Sequence, residues 1–269
     1  KSFLELYLVP MAGAIWSMPQ KDIMNYPVRS LFLFFNNHKL LHGKKDRPKW
    51  LTVSGGSITY VNKIINFLKA NPRVKLLKNN GVKRIKRKNG FIKIMDNEGN
   101  TSEVDHIIFS QNPSKVINIL SDIQKKELDL LGKFKANKNT AYLHSDESIM
   151  PKTKKIWSSW NIFVPKDERN HISVTYWMNK LQNINNKTPL FLSLNPVRLP
   201  NEGSIFKVID YEHPVFDSKS ITALKFLDEI QGHNNTWYCG AWSGNGFHED
   251  GLNSSLKIAN KLGIKALWD

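Results

Sequence analysis

One cysteine, Cys239, stands in the 269 residues, so the chain has no internal disulfide framework and its composition suits a reducing compartment. Cys239 lies among apolar residues before Gly240 and reads as a packed thiol rather than a nucleophile. No apolar run approaches the ~20 residues that span a bilayer. Leu31-Phe-Leu-Phe-Phe35 is far too short and reads as a buried strand or helix segment. P-loop and Gly-x-Ser-x-Gly patterns are absent, as are zinc-finger spacings, recognition-helix signatures and RNP-like aromatic motifs. His144-Ser145-Asp146 is contiguous and reads as a turn, because a triad needs side chains that converge from different places. Acids are scarce, with 23 Asp/Glu against 39 Lys/Arg and a net charge of +16.

That charge is unevenly placed. Between Lys39 and Lys93 stand 16 Lys/Arg and one acid, Asp46, an excess of +15. Such a block suits a solvated basic face or contact with an anionic membrane surface. With no motif to read bases, no nucleic-acid partner is expected. Hydrophobic content of 41% with 11% aromatics fits a globular protein large enough for one big core or two smaller ones.

Residues 1–50 read as helices and loops interrupted by Pro10, Pro19 and Pro27, beginning with an amphipathic helix around Phe3, Leu4, Leu6 and Tyr7. Ala12-Gly13-Ala14 beside Trp16 allows close approach of another helix or of a flat ring. Residues 51–113 read as α/β: a turn over Thr52–Ser57, then a helix over Tyr60–Ala70 capped by Ser57 or Thr59. Strands are expected at 74–78, 82–86, 91–95 and 104–109, with turns at Lys88-Asn-Gly90 and Asp96-Asn-Glu-Gly99. Residues 114–231 read as helices at 115–120 and 125–131, closed by Gly132, then aromatic strands at 155–161, 172–178, 190–194 and 205–211 and a helix at 220–230. Strand alternation would put Trp177 and Asn179 on one face and Tyr176 on the other.

Residues 232–269 carry the most informative stretch. An apolar strand, Thr236-Trp-Tyr-Cys239, ends in the glycine-rich turn Gly240-Ala-Trp-Ser-Gly-Asn-Gly246. The turn opens a helix beginning at Glu249-Asp250-Gly251 with apolar spacing at Leu252, Leu256, Ile258, Ala259 and Leu262. Glycine lets backbone approach a ligand, and a helix N-terminus offers unpaired N–H groups with partial positive charge. The combination suits an electron-rich ring edge or a phosphate.

This segment resembles the C-terminal flavin-binding motif of FAD-dependent oxidoreductases of the amine oxidase superfamily. It is most similar to a bacterial branch of NAD/FAD-binding proteins associated with cyclopropane fatty acid synthesis. The resemblance extends over nearly the whole chain through blocks in the same order, among them Tyr7–Ser17, Arg47-Pro-Lys-Trp50, Val53-Ser-Gly-Gly-Ser57, Trp157–Asn161, Tyr176–Asn179, Tyr211–Phe216 and Gly246–Gly251. It implies an α/β plus α+β fold, a partial FAD/NAD(P)-binding, Rossmann-like domain interleaved with a mixed-sheet and helical substrate domain. The implied division assigns 1–50 and 114–231 to the substrate domain and 51–113 and 232–269 to the cofactor domain. The superfamily opens on Gly-x-Gly-x-x-Gly, which this sequence lacks. On the resemblance the chain is a C-terminal portion, completed by an upstream segment or chain carrying that motif and poorly soluble alone.

The resemblance further implies FAD as cofactor, a cytoplasmic location that extends to the periphery of the inner membrane, and a hydrophobic or lipid-like substrate undergoing dehydrogenation, isomerisation or amine-type oxidation. Val82 would meet the adenine through its backbone. Gly240, Ala241 and Gly246 would lie along the ribityl chain and ring, and the backbone of Asp250, Gly251 and Leu252 would face the flavin N1/O2 edge. Ala241 stands where amine oxidases commonly carry an acid. Substrate-pocket candidates are Trp16, Trp160, Tyr176, Trp177, Tyr211 and His248, each of which serves equally as a packing residue. No general base is assigned, and His248-Glu249-Asp250 is no metal site, because adjacent residues on a turn do not converge on one ion. A second reading is a non-catalytic remnant or partner module that needs another chain to complete the dinucleotide site.

Overall fold

The computed structural model describes residues 3–41, 43, 48–88, 90–165, 171–185 and 187–266. Asp46 and Arg47 of the basic stretch and Asn89 of the expected hairpin turn lie outside them. In chain order the first helices are α1 (Val9–Trp16), α2 (Gln20–Ile23), α3 (Val28–Asn37) and α4 (Ile58–Ala70). Strands β1 (Val82–Lys88), β2 (Phe91–Asp96), β3 (Thr101–Val104) and β4 (Ile107–Phe109) follow, then α5 (Pro113–Ile119) and α6 (Lys125–Leu131). Next come β5 (Lys135–His144), β6 (Trp160–Phe163), β7 (Ser173–Trp177), α7 (Met178–Leu181), β8 (Phe191–Leu194) and β9 (Ile205–Val215). The chain closes with α8 (Ser218–Leu224), β10 (Thr236–Tyr238) and α9 (His248–Lys261).

Two compact units result. The first comprises Lys1–Leu76 with Asn137–His213, the second Leu77–Ala136 with Pro214–Asp269. Their limits differ from the divisions at 50, 113 and 231 expected from sequence. Helix α4 belongs to the first unit rather than with the strands that follow it, since compactness is decided by tertiary contacts that composition does not display.

In the first unit a π-helical turn, Leu4–Leu8, runs straight into α1. Pro10 does not break this helix. It is the second residue of α1, directly after the π-helical turn. Pro19 and Pro27 precede α2 and α3 as their N-cap residues. Leu31–Phe35 is helical, burying Phe34 and Phe35 and leaving Phe32 and Leu33 exposed. A Cβ on Gly13 would collide with the Ile172 side chain and lie 2.8 Å from the Met18 carbonyl, so the small patch of α1 serves close protein packing. A five-stranded sheet in the order β6-β7-β8-β5-β9 forms the rest, with β6–β7, β7–β8 and β8–β5 antiparallel. Ala14, Ile172 and Val174 pack together, and Met150, Trp157 and Phe191 form another buried cluster.

In the second unit β1, β2 and β3 make an antiparallel meander. Gly90 at φ +92° and Gly99 at φ +88° take left-handed turn positions. The Asp96 carboxylate ties the second turn by accepting from the N–H groups of Glu98 and Asn100. Strands β4 and β10 pair in parallel, and Cys239 N–H extends the ladder by donating to the Phe109 carbonyl at 2.9 Å. Ile85, Ile92, Phe109, Leu131, Tyr238 and Trp242 anchor the core, each large apolar side chain contributing about 1.5–3 kcal/mol on burial.

Several local expectations are corrected. Residues 74–78 are irregular, with no strand among the described residues pairing with them. The expected strand 104–109 is two: β3 ends at Val104 on the meander and β4 starts at Ile107 beside β10. Ser57 makes no side-chain cap on α4, and the Thr59 hydroxyl donates back to the Gly56 carbonyl instead. Residues 154–156 form a 3-10 turn, and the strand there begins only at Trp160. Asn179 lies in α7, so alternation with Trp177 stops at the end of β7. Strand β5, with two sheet neighbours, was not expected at all.

Candidate functional site

The sequence motif folds as β10, a tight turn and α9. Gly240 follows the strand at φ +134°, ψ 166°, a conformation nearly restricted to glycine. A Cβ there would stand 2.8 Å from the Trp242 ring and 3.2 Å from the Ser110 carbonyl. Gly246, at φ +94°, packs under the Phe216 ring. A Cβ on Gly244 would strike the Asp250 carboxylate. That carboxylate closes the N-terminus of α9 by accepting from Phe247 N–H at 3.0 Å. Three of the turn glycines are thus required by close packing against protein atoms.

The backbone donors divide accordingly. Gly240 N–H donates to the Ser254 hydroxyl at 2.9 Å, and Gly246 N–H to the Ala241 carbonyl at 3.1 Å. Gly251 N–H donates to the Phe247 carbonyl at 3.2 Å, the first bond of the helical ladder, and Leu252 is the next residue in that ladder. The N–H groups of Ala241, His248 and Glu249 have no acceptor among the described residues, whereas that of Asp250 belongs to the cap with Phe247. Gly251 joins these two groups of donors: a Cβ on it would lie 3.6 Å from Ala241 N, with nothing else within 4 Å. The Gly251 carbonyl is itself held by the Ser254 and Ser255 hydroxyls at 2.7 and 2.9 Å. Of the residues expected along the flavin edge, Asp250 has its backbone donor in the cap with Phe247, and Gly251 and Leu252 have theirs in the helix. Ala241, His248 and Glu249 supply donors that sequence reasoning did not assign.

Val82 opens β1 at a register irregularity with its side chain 40% exposed. His248 is an exposed first residue of α9. A cavity of about 320 Å³ lies against another face of α9, lined by Ser243, Gly244, Ser254 and Lys257; of the expected cofactor residues only Asp250 reaches it.

The remaining pocket candidates lie in the first unit. Trp16 is 4% exposed and packs on Tyr26 and Phe34 at ring distances of 4.5 and 4.9 Å, so it is core. Trp160 and Tyr176 pair across β6–β7 edge to face at 5.2 Å, Trp160 remaining 42% exposed. Trp177 packs against the Trp157 and Phe191 cluster. Tyr211 is exposed on β9 beside His213, whose Nδ1 accepts from Asn139 Nδ2 at 2.9 Å. Burial holds His213 below the ordinary histidine range. Among the described residues no group of three His, Cys, Asp or Glu side chains is placed to hold a metal ion, and no helix is long and apolar enough to cross a membrane.

Comparison with protein-family models and with curated proteins finds no match in either. Solved structures do match in fold. A cofactor-site variant of putrescine oxidase superposes with a TM-score of 0.50 at 10% identity over 77% of this chain and 53% of its own. A conjugated-linoleic-acid-producing fatty acid isomerase from P. acnes gives 0.49 at 13% identity over 75% and 52%. Cyclohexylamine oxidase from Brevibacterium oxydans gives 0.45 at 10% over 68% and 48%. The chain spans about half the length of these structures. At such identity the likeness is one of fold.

Proposed function

We propose that the chain is the C-terminal part of an FAD-dependent oxidoreductase of amine-oxidase type acting on a hydrophobic or lipid-like substrate. One observation carries the reading: a side-chain-free surface at Gly251 joins the uncommitted N–H groups of Ala241 and of the first turn of α9. The donor set fits the electron-rich N1/O2 edge of a flavin, which gains negative charge on reduction. Bound flavin supplies the electron acceptance that the protein's own side chains lack. Ala241, His248 and Glu249 would hold the ring edge through backbone N–H groups, Asp250 would keep the cap in place beside them, Gly240 and Gly246 would shape the turn, and Val82 would offer backbone to the adenine. The Asp250 carboxylate is turned onto Phe247 N–H.

The purified protein, alone and with any upstream coding sequence included, should be titrated with FAD and followed through its absorption near ~450 nm, the flavin being the chromophore. Saturable binding in either form supports the reading, and folded samples that bind none in both forms remove it. Gly251→Ala separates ligand from fold. Its methyl group meets only an ordinary contact and relieves a helical glycine, so thermal stability should rise by up to about 1 kcal/mol while flavin affinity falls.

A second reading is a non-catalytic module completed by another chain. It is favoured by α4, which buries no residue and leaves Ile64 at 52% and Phe67 at 68% exposure, a face that a partner would cover.

A further inference from the structure

Four neighbouring strands of the first unit place polar side chains on one face of the sheet. Asn161 of β6 lies opposite Thr175 of β7, which lies opposite Ser193 of β8, and His144 of β5 stands diagonal to Ser193. His144 and Ser193 are wholly buried and Thr175 is 5% exposed. The hydrogen bonds have a direction. Asp146 N–H donates to His144 Nδ1 at 3.1 Å, so that nitrogen must carry a lone pair and the ring proton sits on Nε2. Nε2 therefore donates to Ser193 Oγ at 2.8 Å, and Ser193 Oγ and Thr175 Oγ1 share a hydrogen bond at 2.7 Å that uses the proton of one of them. One hydroxyl proton of this pair is left over. Asn161 is engaged elsewhere on the strand pair, its Oδ1 accepting from Ser158 N–H and its Nδ2 donating to the Ser158 and Thr175 carbonyls.

Two residues earlier on the same face, Ser173 is 4% exposed and its hydroxyl has no hydrogen-bond partner among the described residues. Both hydroxyls line a cavity of about 530 Å³. Its walls are apolar, chiefly Met150, Ile162 and Phe163. Its cations are Lys152 and Arg198, and no lining residue is acidic. Arg198 donates to the carbonyl and hydroxyl oxygens of Ser148, and neither cation has a carboxylate partner among the described residues.

Two hydroxyls on residues that line one cavity are matched by a ligand that brings acceptor oxygens. Positive potential with no opposing acid selects a negative ligand, and the apolar walls select a hydrocarbon body. We propose that this cavity binds a monocarboxylic acid with a hydrocarbon body, its oxygens accepting from the Ser173 and Thr175 hydroxyls, its charge matched by Arg198 and Lys152, and its chain against Met150, Ile162 and Phe163. The site is built within the first unit and its occupancy needs no flavin, so it stands or falls separately from the cofactor reading.

Isothermal titration of the whole chain with octanoate tests this, with octan-1-ol, octylamine and inorganic phosphate as comparators. Octanoate should bind saturably at a single site, with the alcohol and the amine at least about tenfold weaker, the value of one charge-assisted hydrogen bond. Ser173→Ala and the surface variant Arg198→Gln should each weaken octanoate about tenfold and leave octanol unchanged. Octanol binding as well as octanoate, inorganic phosphate competing at equal affinity, unaltered affinity in both variants, or folded protein that takes up no octanoate would each overturn the proposal.

Discussion

Arg87 enters the interior of the second unit with 7% exposure and meets two carboxylates there. Its guanidinium pairs with Glu127 at 2.6 and 2.7 Å and with Asp122 at 2.9 Å, and Tyr238 OH donates to Glu127 at 2.8 Å. Burial works to raise the Glu127 carboxyl, but the hydrogen bonds from Arg87, Gln124 N–H and Tyr238 outweigh it and hold the group below its ordinary value of 4.5. Breaking such a pair strands a buried charge. Glu127→Gln should therefore cost about 3 kcal/mol or more in urea unfolding, with the meander strands losing amide protection first. His144 is held low by burial, with Asp146 opposing. A base depressed in the fold binds its proton more readily when unfolded, so its share of stability is complete above the ordinary histidine value of about 6.5 and is lost as pH falls below it. The urea midpoint should thus decline from pH 7.5 to 5.5, and His144→Gln should flatten that decline. Cys239, 3% exposed with its thiol pushed up by burial, should react with a thiol reagent at pH 7.5 only after denaturation.

Among the elements, α9 was the most legible. Its apolar period, its acids in the first turn and the glycines before it all pointed the same way, and it spans His248–Lys261. Gly240 is where that motif is most constrained: Gly240→Ala should cost about 3 kcal/mol in thermal unfolding, as left-handed strain adds to the clash with Trp242. Strand β5 was illegible for a physical reason. Its buried residues, Asn139, Ala141 and His144, break alternation and are largely polar, and they become acceptable inside only through partners far along the chain, Asn195, His213 and Ser193. Residues 74–78 erred the other way. Their composition suits a strand, but a strand needs a neighbour to take its hydrogen bonds, and none is supplied among the described residues.

At the scale of the whole molecule, charge was read straight from composition. At +16 the protein should be retained on a cation exchanger at pH 7 and released by salt, whatever its ligand. A chelator should leave the melting temperature unchanged, as the described residues present no metal cluster. The strand–turn–helix and its glycines could be found in the sequence because backbone conformation and local capping are short-range properties. The basic excess, the lone thiol and the lack of a long apolar run are likewise written in the order and kind of residues. Which backbone N–H groups remain uncommitted in the turn was decided only by tertiary structure, because Ser254 and the Ala241 carbonyl had first to claim the others. The same holds for the hydroxyls at the cavity of the first unit. His144, Thr175 and Ser193 are ordinary polar residues on separate strands, and only the register of three neighbouring strands turns them into a hydrogen-bonded chain with a proton to spare.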